Sequence, residues 1–429
     1  MRRVVVVGAG FAGYYAARRL TEHADATDVE VVLLNPHDYF LYVPLLPQVM
    51  AGVVEPRRLT ISLAGSLPRV RHVAGTVTGI DLDARTVSFD ALDGGPQQLG
   101  YDQVIITSGS VTKLLPIPGV AEHALGFRDL AEAVYLRDHL IRQIELADET
   151  SDADERRARL TFVVVGAGYT GTEVAAYGAR TTRRLLRRHP RLSGTEANWL
   201  LLDTADHVLP GLKPRLGRTA AKTLHKLGVD VRLGTSVKEA THAGVELTDG
   251  DTLPTWSLVW CVGVRPDPLV SSLGVDTDHG RLTVSPTLGV PGHPDAWACG
   301  DAAAVPDLTR PGQVTAMTAQ HAQRQGARVA ENVLAALDGH APHPYEHHDL
   351  GFVVDLGGAS GAADPLGVPL GGLPAAVVTR GYHLAAMPGN RLRTVFDWFE
   401  HALLGPQEVQ LMLTTRPGLP LDTSRPQNG

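Results

Sequence analysis

The chain is poor in cysteine: Cys261 and Cys299 are the only two among 429 residues. They fit neither a CxxC nor a CxxxxC spacing, which argues against a dithiol redox pair and against a cysteine-based metal site. Each closes an apolar segment, Val259-Trp260-Cys261-Val262-Gly263 and Ala296-Trp297-Ala298-Cys299-Gly300, where a reduced cysteine serves as a small buried hydrophobe. No run of about 18 apolar residues occurs, so no membrane-spanning helix is expected and any lipid contact is peripheral. Positive charge is not in excess. A net charge of −7 argues against general nucleic-acid binding, which needs a basic face. A secretory leader is not expected either, because Met1-Arg2-Arg3 runs straight into a core strand. The rest is ordinary: 44% hydrophobic and 20% charged residues, over a length that accommodates two or three domains.

What the chain does have is a glycine pattern, twice. Gly8-Ala9-Gly10-Phe11-Ala12-Gly13 follows the apolar run Val4 to Val7, and Gly166-Ala167-Gly168-Tyr169-Thr170-Gly171 follows Phe162 to Val165. Each reads as strand, tight turn, helix start. The first glycine permits the turn, the second lets backbone approach a pyrophosphate, and the third lets helix pack on strand. Phosphates rest at such a helix N-terminus, where free N–H groups and the helix dipole favour negative charge. Two such units imply two nucleotide cofactors on one α/β chain.

The surrounding pattern predicts two Rossmann-like domains, one interrupted by the other. Residues 1–115 begin the first domain, 116–288 form the second with its connector, and 289–344 complete the first. Residues 345–429 form a C-terminal region with an amphipathic helix and a polar tail, Thr414 to Gly429. The charge-rich stretch Asp148 to Arg159 reads as a connector. A helix is expected from about Met317 to Leu337, and Asp249-Gly250-Asp251 reads as a turn between short strands.

The order of motifs resembles the flavoproteins that carry two dinucleotide-binding domains: glycine fingerprint, Thr107-Ser108-Gly109, second fingerprint, Cys261-Val262-Gly263-Val264-Arg265, then Gly300-Asp301. Within them the chain is most similar to type II NADH:quinone oxidoreductases. That narrower resemblance rests on Tyr39-Phe40-Leu41-Tyr42-Val43-Pro44-Leu45-Leu46-Pro47-Gln48-Val49, on Thr318-Ala319-Gln320-His321-Ala322-Gln323-Arg324-Gln325-Gly326, and on the region from Asn390-Arg391-Leu392 to Phe399. It implies FAD at the first fingerprint, with Gly8, Gly10, Phe11, Ala12, Gly13, Asn35, Pro44, Ser108, Gly109, Gly300 and Asp301 as contacts. It implies NAD(H) at the second, with Gly166, Gly168, Tyr169, Thr170, Gly171, Asp203 and Gly263. The implied activity is hydride transfer from NADH to FAD and electron transfer to a quinone, without proton pumping. Placement of the cofactors is then the protein's main task.

Local chemistry sharpens some of these positions. Asp203 ends a strand where an acid accepts hydrogen bonds from a ribose hydroxyl and repels a 2′-phosphate, favouring NADH over NADPH. Arg180 and its neighbouring arginines would weaken that preference only by pointing back at the site. Asn35 stands at the matching place after the first fingerprint, where most of the family carries an acid. Glu173 reads either as a first-turn glutamate favourable to the helix dipole or, by the resemblance, as a residue near flavin and nicotinamide that orients the latter or manages a proton.

The acceptor end departs from the family in two places. Gln320, Gln323 and Arg324 share one helical side, and Gln48, Gln320 and Arg324 are candidates for the quinone, Gln320 also for a catalytic part. Alternatively, that side is an ordinary polar helix face. The family usually has glutamine where Arg324 stands, and many members have lysine where Leu350 stands. Disulfide reductases of similar architecture place CxxxxC beside the flavin, whereas Leu41 to Val49 contains no cysteine. Sulfide:quinone reductases need catalytic cysteines at positions this chain does not fill.

From Arg391, apolar residues fall at Leu392, Val395, Phe396, Phe399, Ala402 and Leu403, a continuous helical stripe flanked by Trp398. No acidic residue occurs from Pro365 to Phe396, where Arg380, Arg391 and Arg393 add positive charge. This is the profile of an interfacial segment, placing the chain peripherally on the cytoplasmic side of the cell membrane. A helix packed on the core or on a second copy of the chain is the alternative, and Asp397 and Glu400 favour it. The competing function is then a soluble cytoplasmic flavoprotein reductase, or a redox-sensing flavoprotein, with a protein or other non-quinone acceptor.

Overall fold

The computed structural model describes residues 1–23, 28–347, 350–415 and 420–422. Most of the expected polar tail lies outside the described residues. Two compact units form. The first comprises Met1–Leu41, Thr60–Val111 and Val264–His348; the second comprises Tyr42–Leu59, Thr112–Gly263 and Asp349–Gly429. The chain thus re-enters the first unit at Val264, earlier than the expected 289. Pairing explains the difference, because Arg281–Thr283 runs parallel to Ala303–Ala304 and ties the intervening segment to the returning chain. The C-terminal region packs into the second unit and forms no unit of its own.

The first unit is built on an eight-stranded sheet. Arg2–Val7 lies at its centre, parallel to Val29–Asn35 on one side and to Gln103–Ile106 on the other. Val4, Val5 and Val6 are wholly buried, as expected of a parallel strand covered on both faces. The fingerprint helix Phe11–His23 packs against Ala319–Leu337. Their close approach needs glycine: a Cβ on Gly326 would stand 2.2 Å from the Ala12 carbonyl oxygen.

The second unit holds a four-stranded parallel sheet in the order Val229–Leu233, Asn198–Asp203, Thr161–Val165, Ser257–Trp260. Beside it stands a small antiparallel sheet that turns at Asp249-Gly250-Asp251, with Gly250 at φ +95°. The stretch expected to be a connector is largely helical. Leu130–Glu149 runs into it, and Asp152 then caps Ala153–Arg159 by accepting from the Asp154 and Glu155 N–H groups. Arg159 is buried there. It pairs with Glu155 at 2.6 Å, donates to Gln143 and lies 3.7 Å over the Trp256 ring. Charge counting missed this because Arg159 finds its partners in Glu155, Gln143 and the Trp256 ring.

The C-terminal part of the second unit contains a three-stranded sheet, Val353–Asp355, Gly361–Ala363 and Leu370–Gly371, then helices Gly372–Ala386 and Arg391–Leu404. Both helices are inverted relative to an ordinary surface helix. Thr394 and Asp397 face inward at 0% and 6% exposure, while Leu392, Phe396, Phe399 and Leu403 stand 63–76% exposed. The inward aspartate is satisfied, accepting from Arg58 Nε and the Glu55 N–H at 3.0 Å each. On the preceding helix Ala375, Ala376 and Thr379 are buried while Leu373 and Val377 point outward. No helix among the described residues is long and apolar enough to cross a membrane.

Candidate active site

Three glycines do three different things in each fingerprint. Gly8 sits at φ +94°, and a Cβ there would meet the Thr107 carbonyl oxygen at 2.6 Å. Gly13 lies so close under the turn that its Cβ would stand 1.8 Å from the Gly8 oxygen. Gly10, between them, would meet no protein atom within 4 Å. A side chain at Gly10 would obstruct only what approaches from outside. The second fingerprint repeats the arrangement: Gly166 at φ +104° against the Cys261 carbonyl oxygen at 2.3 Å, Gly171 at 1.8 Å from the Gly166 oxygen, and Gly168 open. Gly109 and Gly263, on the neighbouring strand ends, both have positive φ and no atom near a virtual Cβ. The two cradles therefore fit a pyrophosphate on geometric grounds.

Around the first cradle, the Ser108 hydroxyl is buried and has no protein partner, as a group placed for a ligand would be. Ser110 Oγ donates to Asp301 Oδ2 at 2.7 Å, and the Gly300 N–H donates to Gln325 Oε1 at 2.8 Å. Gln325 is wholly buried and also donates to Thr315. It thus holds the Gly300-Asp301 turn from below, a supporting part the sequence did not announce. Asn35 accepts from the Ala9 N–H at 2.9 Å and donates to the His37 carbonyl at 2.8 Å, a donation no carboxylate could make. Phe11 packs edge-on against Phe40.

At the second cradle Asp203 accepts from the Ala167 N–H at 2.6 Å and the Ala205 N–H at 2.8 Å. Both oxygens keep acceptor capacity, so a ribose diol is favoured and a phosphate opposed. Arg180 is engaged elsewhere, donating to the Leu356 carbonyl and the Ser360 hydroxyl. Tyr169 and Thr170 are exposed at the helix start. Cys261, beneath this turn, and Cys299, in the other unit, are free, and burial pushes both thiols far above their usual range. Neither is poised as a nucleophile.

Gln48, expected at the acceptor end, and Glu173, expected near flavin and nicotinamide, meet in one network of the second unit. The Asp355 N–H donates to Glu173 Oε1 at 2.9 Å. Gln48 donates from Nε2 to Asp355 Oδ2 at 3.0 Å and accepts from Trp398 Nε1 at 2.7 Å. Desolvation raises the Glu173 carboxyl well above the usual range, opposed by the Asp355 N–H and assisted by the Asp355 charge. Pro44 lies in the same unit, in the turn Val43–Leu45. Nearby, Tyr42 bonds His383 at 3.1 Å, and burial lowers that imidazole to about 4.

Gln320 and Arg324 sit in the first unit, on Ala319–Leu337, which Thr318 caps. Both are half-buried, and Arg324 Nη1 contacts His347 Nδ1 at 3.2 Å. His347 packs at a tilt against His321, a buried imidazole that desolvation and its neighbour lower to about 4. Leu350 is 45% exposed.

Comparison with known proteins agrees with this geometry. The pyridine nucleotide-disulphide oxidoreductase family matches residues 2–326. The type II NADH:quinone oxidoreductase Ndh of Mycobacterium tuberculosis is 32% identical, covering 92% of this chain and 87% of that one. The demethylphylloquinone reductase NdbB of Synechocystis is 30% identical over 94% and 96%. The structure of NDH2 from Plasmodium falciparum in complex with NADH shares the fold, with a TM-score of 0.87 at 16% identity over 95% and 99% of the two chains. With the paired cradles in place and relatives of this similarity along nearly its whole length, the chain belongs to the pyridine nucleotide-disulphide oxidoreductase family and, within it, to the type II NADH:quinone oxidoreductases.

Proposed function

We propose that the first unit seats FAD permanently, that the second admits NADH in exchange, and that electrons leave to a quinone at a membrane surface. The reaction is that of a non-proton-pumping NADH dehydrogenase. When bound, FAD would supply the chemistry of accepting a hydride from NADH and passing two electrons to the acceptor. Gly8, Gly10, Phe11, Ala12 and Gly13 cradle its pyrophosphate, with Asn35, Ser108, Gly109, Gly300 and Asp301 holding its sugar and ribityl parts. Gly166, Gly168, Tyr169, Thr170 and Gly171 do the same for the dinucleotide, with Asp203 on the ribose and Gly263 leaving room opposite. Glu173 manages a proton, and Gln48 is the polar contact for the quinone in the second unit; Gln320 and Arg324, in the first, are separate candidates.

The observation that carries the membrane part is the inverted C-terminal helix. An outward apolar face beside Arg391 and Arg393 suits an anionic lipid surface. Covering each of its large side chains is worth roughly 1.5–3 kcal/mol. Full-length protein should sediment with anionic vesicles, and the Phe396→Glu/Phe399→Glu double variant should stay in the supernatant. Equal sedimentation of the two proteins would remove the lipid assignment. For the reaction, NADH should bleach the yellow holoprotein and a short-chain quinone should restore its colour. Bleaching without restoration by any quinone would overturn the acceptor assignment.

A further inference from the structure

A cavity of about 260 Å³ opens in the second unit, away from the glycine cradle. Thr255, Trp256 and Leu258 line it where the strand Ser257–Trp260 begins. That strand runs parallel to Thr161–Val165, with Phe162 opposite Ser257 and Val165 opposite Trp260. The second fingerprint follows Val165, so cavity and cradle stand at opposite ends of the same strands. Dinucleotides bind outside the carboxyl ends of such a sheet. The cavity lies at the amino ends and is no part of the NADH seat.

One face of the helix Leu130–Glu149 forms another wall, through Tyr135, Arg142 and Gln143. Gln143 is 6% exposed, and Arg159 dictates the orientation of its amide. A guanidinium can only donate, so Gln143 turns Oε1 to it at 3.1 Å, and its NH₂ has no protein partner among the described residues. Tyr135 is 9% exposed, and its hydroxyl has no hydrogen-bond partner among the described residues either. Neither atom is sealed from solvent, so both open on the cavity. Arg142 gives Nε to Gln410 at 3.1 Å and keeps both Nη groups. His123 and His242 add two imidazoles from other segments, and no Asp or Glu lines the cavity among the described residues. Donors so deeply buried and left without acceptors are rare in native structures. Donors in this number, with no carboxylate among them, select an oxyanion, to which their hydrogen bonds are charge-assisted. The volume falls just under the roughly 300–1,000 Å³ of drug-sized sites, which limits the ligand to a small molecule. Trp256, with Arg159 3.7 Å from its ring centre, supplies a flat apolar wall.

We propose that this cavity binds a small aromatic oxyanion, a ring carrying a carboxylate or a phosphate, at a site separate from both dinucleotide cradles. Arg142 and Gln143 hold the oxyanion, Tyr135 adds a donor, and the ring lies against Trp256. The test is calorimetric titration of the FAD-loaded full chain with saturating NAD⁺ present, so that the second cradle is already filled. Benzoate and phenyl phosphate are the probes; inorganic phosphate and benzyl alcohol are the controls. The probes should bind, and each control should bind at least about tenfold more weakly. Binding of one probe alone supports the site and identifies its headgroup. Arg142→Gln should weaken binding at least about tenfold, the worth of a charge-assisted hydrogen bond, and Tyr135→Phe about fivefold. Neither variant should move the KM for NADH by more than about twofold. Should Arg142→Gln fail to retain flavin, Tyr135→Phe, which removes a single oxygen, carries the test. Wild-type protein that binds neither probe would overturn the proposal. So would variants that bind the probes as tightly as wild type, since the anion then sits elsewhere. Benzyl alcohol binding as tightly as benzoate would remove the oxyanion, and phosphate binding as tightly as phenyl phosphate would remove the ring.

Discussion

The two fingerprints have the same backbone and different chemistry around it. In both, the third glycine would place a Cβ 1.8 Å from the carbonyl oxygen of the first, and the middle glycine is open. Glycine geometry therefore answers the question of what shape binds, and it answers identically twice. The difference begins at the strand ends. Asn35 both accepts and donates in its turn, whereas Asp203 only accepts. Under the first turn lies Thr107, whose hydroxyl donates to the Val7 and Gly8 carbonyls; under the second lies Cys261, which contributes volume. The first cradle also has a second wall, Gly300-Asp301, held by Ser110 and Gln325. On the function proposed above, this second wall is what retains FAD while NADH exchanges at the other cradle.

That contrast can be broken most forcibly at the third glycines. Gly13→Ala and Gly171→Ala meet the same backbone clash, costing on the order of 3 kcal/mol locally. Gly13→Ala should yield colourless protein. Gly171→Ala should stay yellow while its NADH affinity falls about a hundredfold, since about 1.4 kcal/mol is a factor of ten. Absorbance of the purified proteins and NADH titration read both, and loss of flavin from both variants would show that the sites are not independent.

The strand ends come next. Asp203→Ala should reduce the preference for NADH over NADPH in kcat/KM about tenfold, the worth of one charge-assisted hydrogen bond. Asn35→Asp should keep its flavin, although the carboxylate loses the bond to the His37 carbonyl. A large effect at Asn35 with none at Asp203 would invert the comparison.

The smallest effects belong beneath the turns. Thr107→Val removes a buried donor and should cost about 1 kcal/mol in thermal unfolding. Cys261→Ser should change NADH oxidation by less than about twofold, because a thiol that burial holds protonated takes no part in the chemistry.

Most of the cofactor architecture was legible because its determinants are local. A glycine at a forced positive φ, the valine run before it and the helix after it all lie within a few residues. The acceptor end was only partly legible. Gln48 was named, but Asp355, which ties it to Glu173, was not, since its partners lie 307 and 182 positions away. Gln325 was passed over in favour of Gln320 and Arg324, because spacing identifies a polar helix side without saying which amide is buried. The charged stretch around Arg159 looked like a connector for the same reason.

By itself, the sequence determined two strand–glycine–helix units, their order, the asymmetry between Asn35 and Asp203, and an apolar stripe on the last helix. Periodicity can mark a stripe, but it cannot say which side is covered. Only the tertiary structure turned Asp397 and Thr394 inward and left Phe396 and Phe399 outside, because Arg58 and the Glu55 N–H were there to satisfy the aspartate. The same long-range pairing brought Asp355 between Glu173 and Gln48. Hydrogen-bond partners far apart in the chain carry no local signature, so such contacts are decided by the fold.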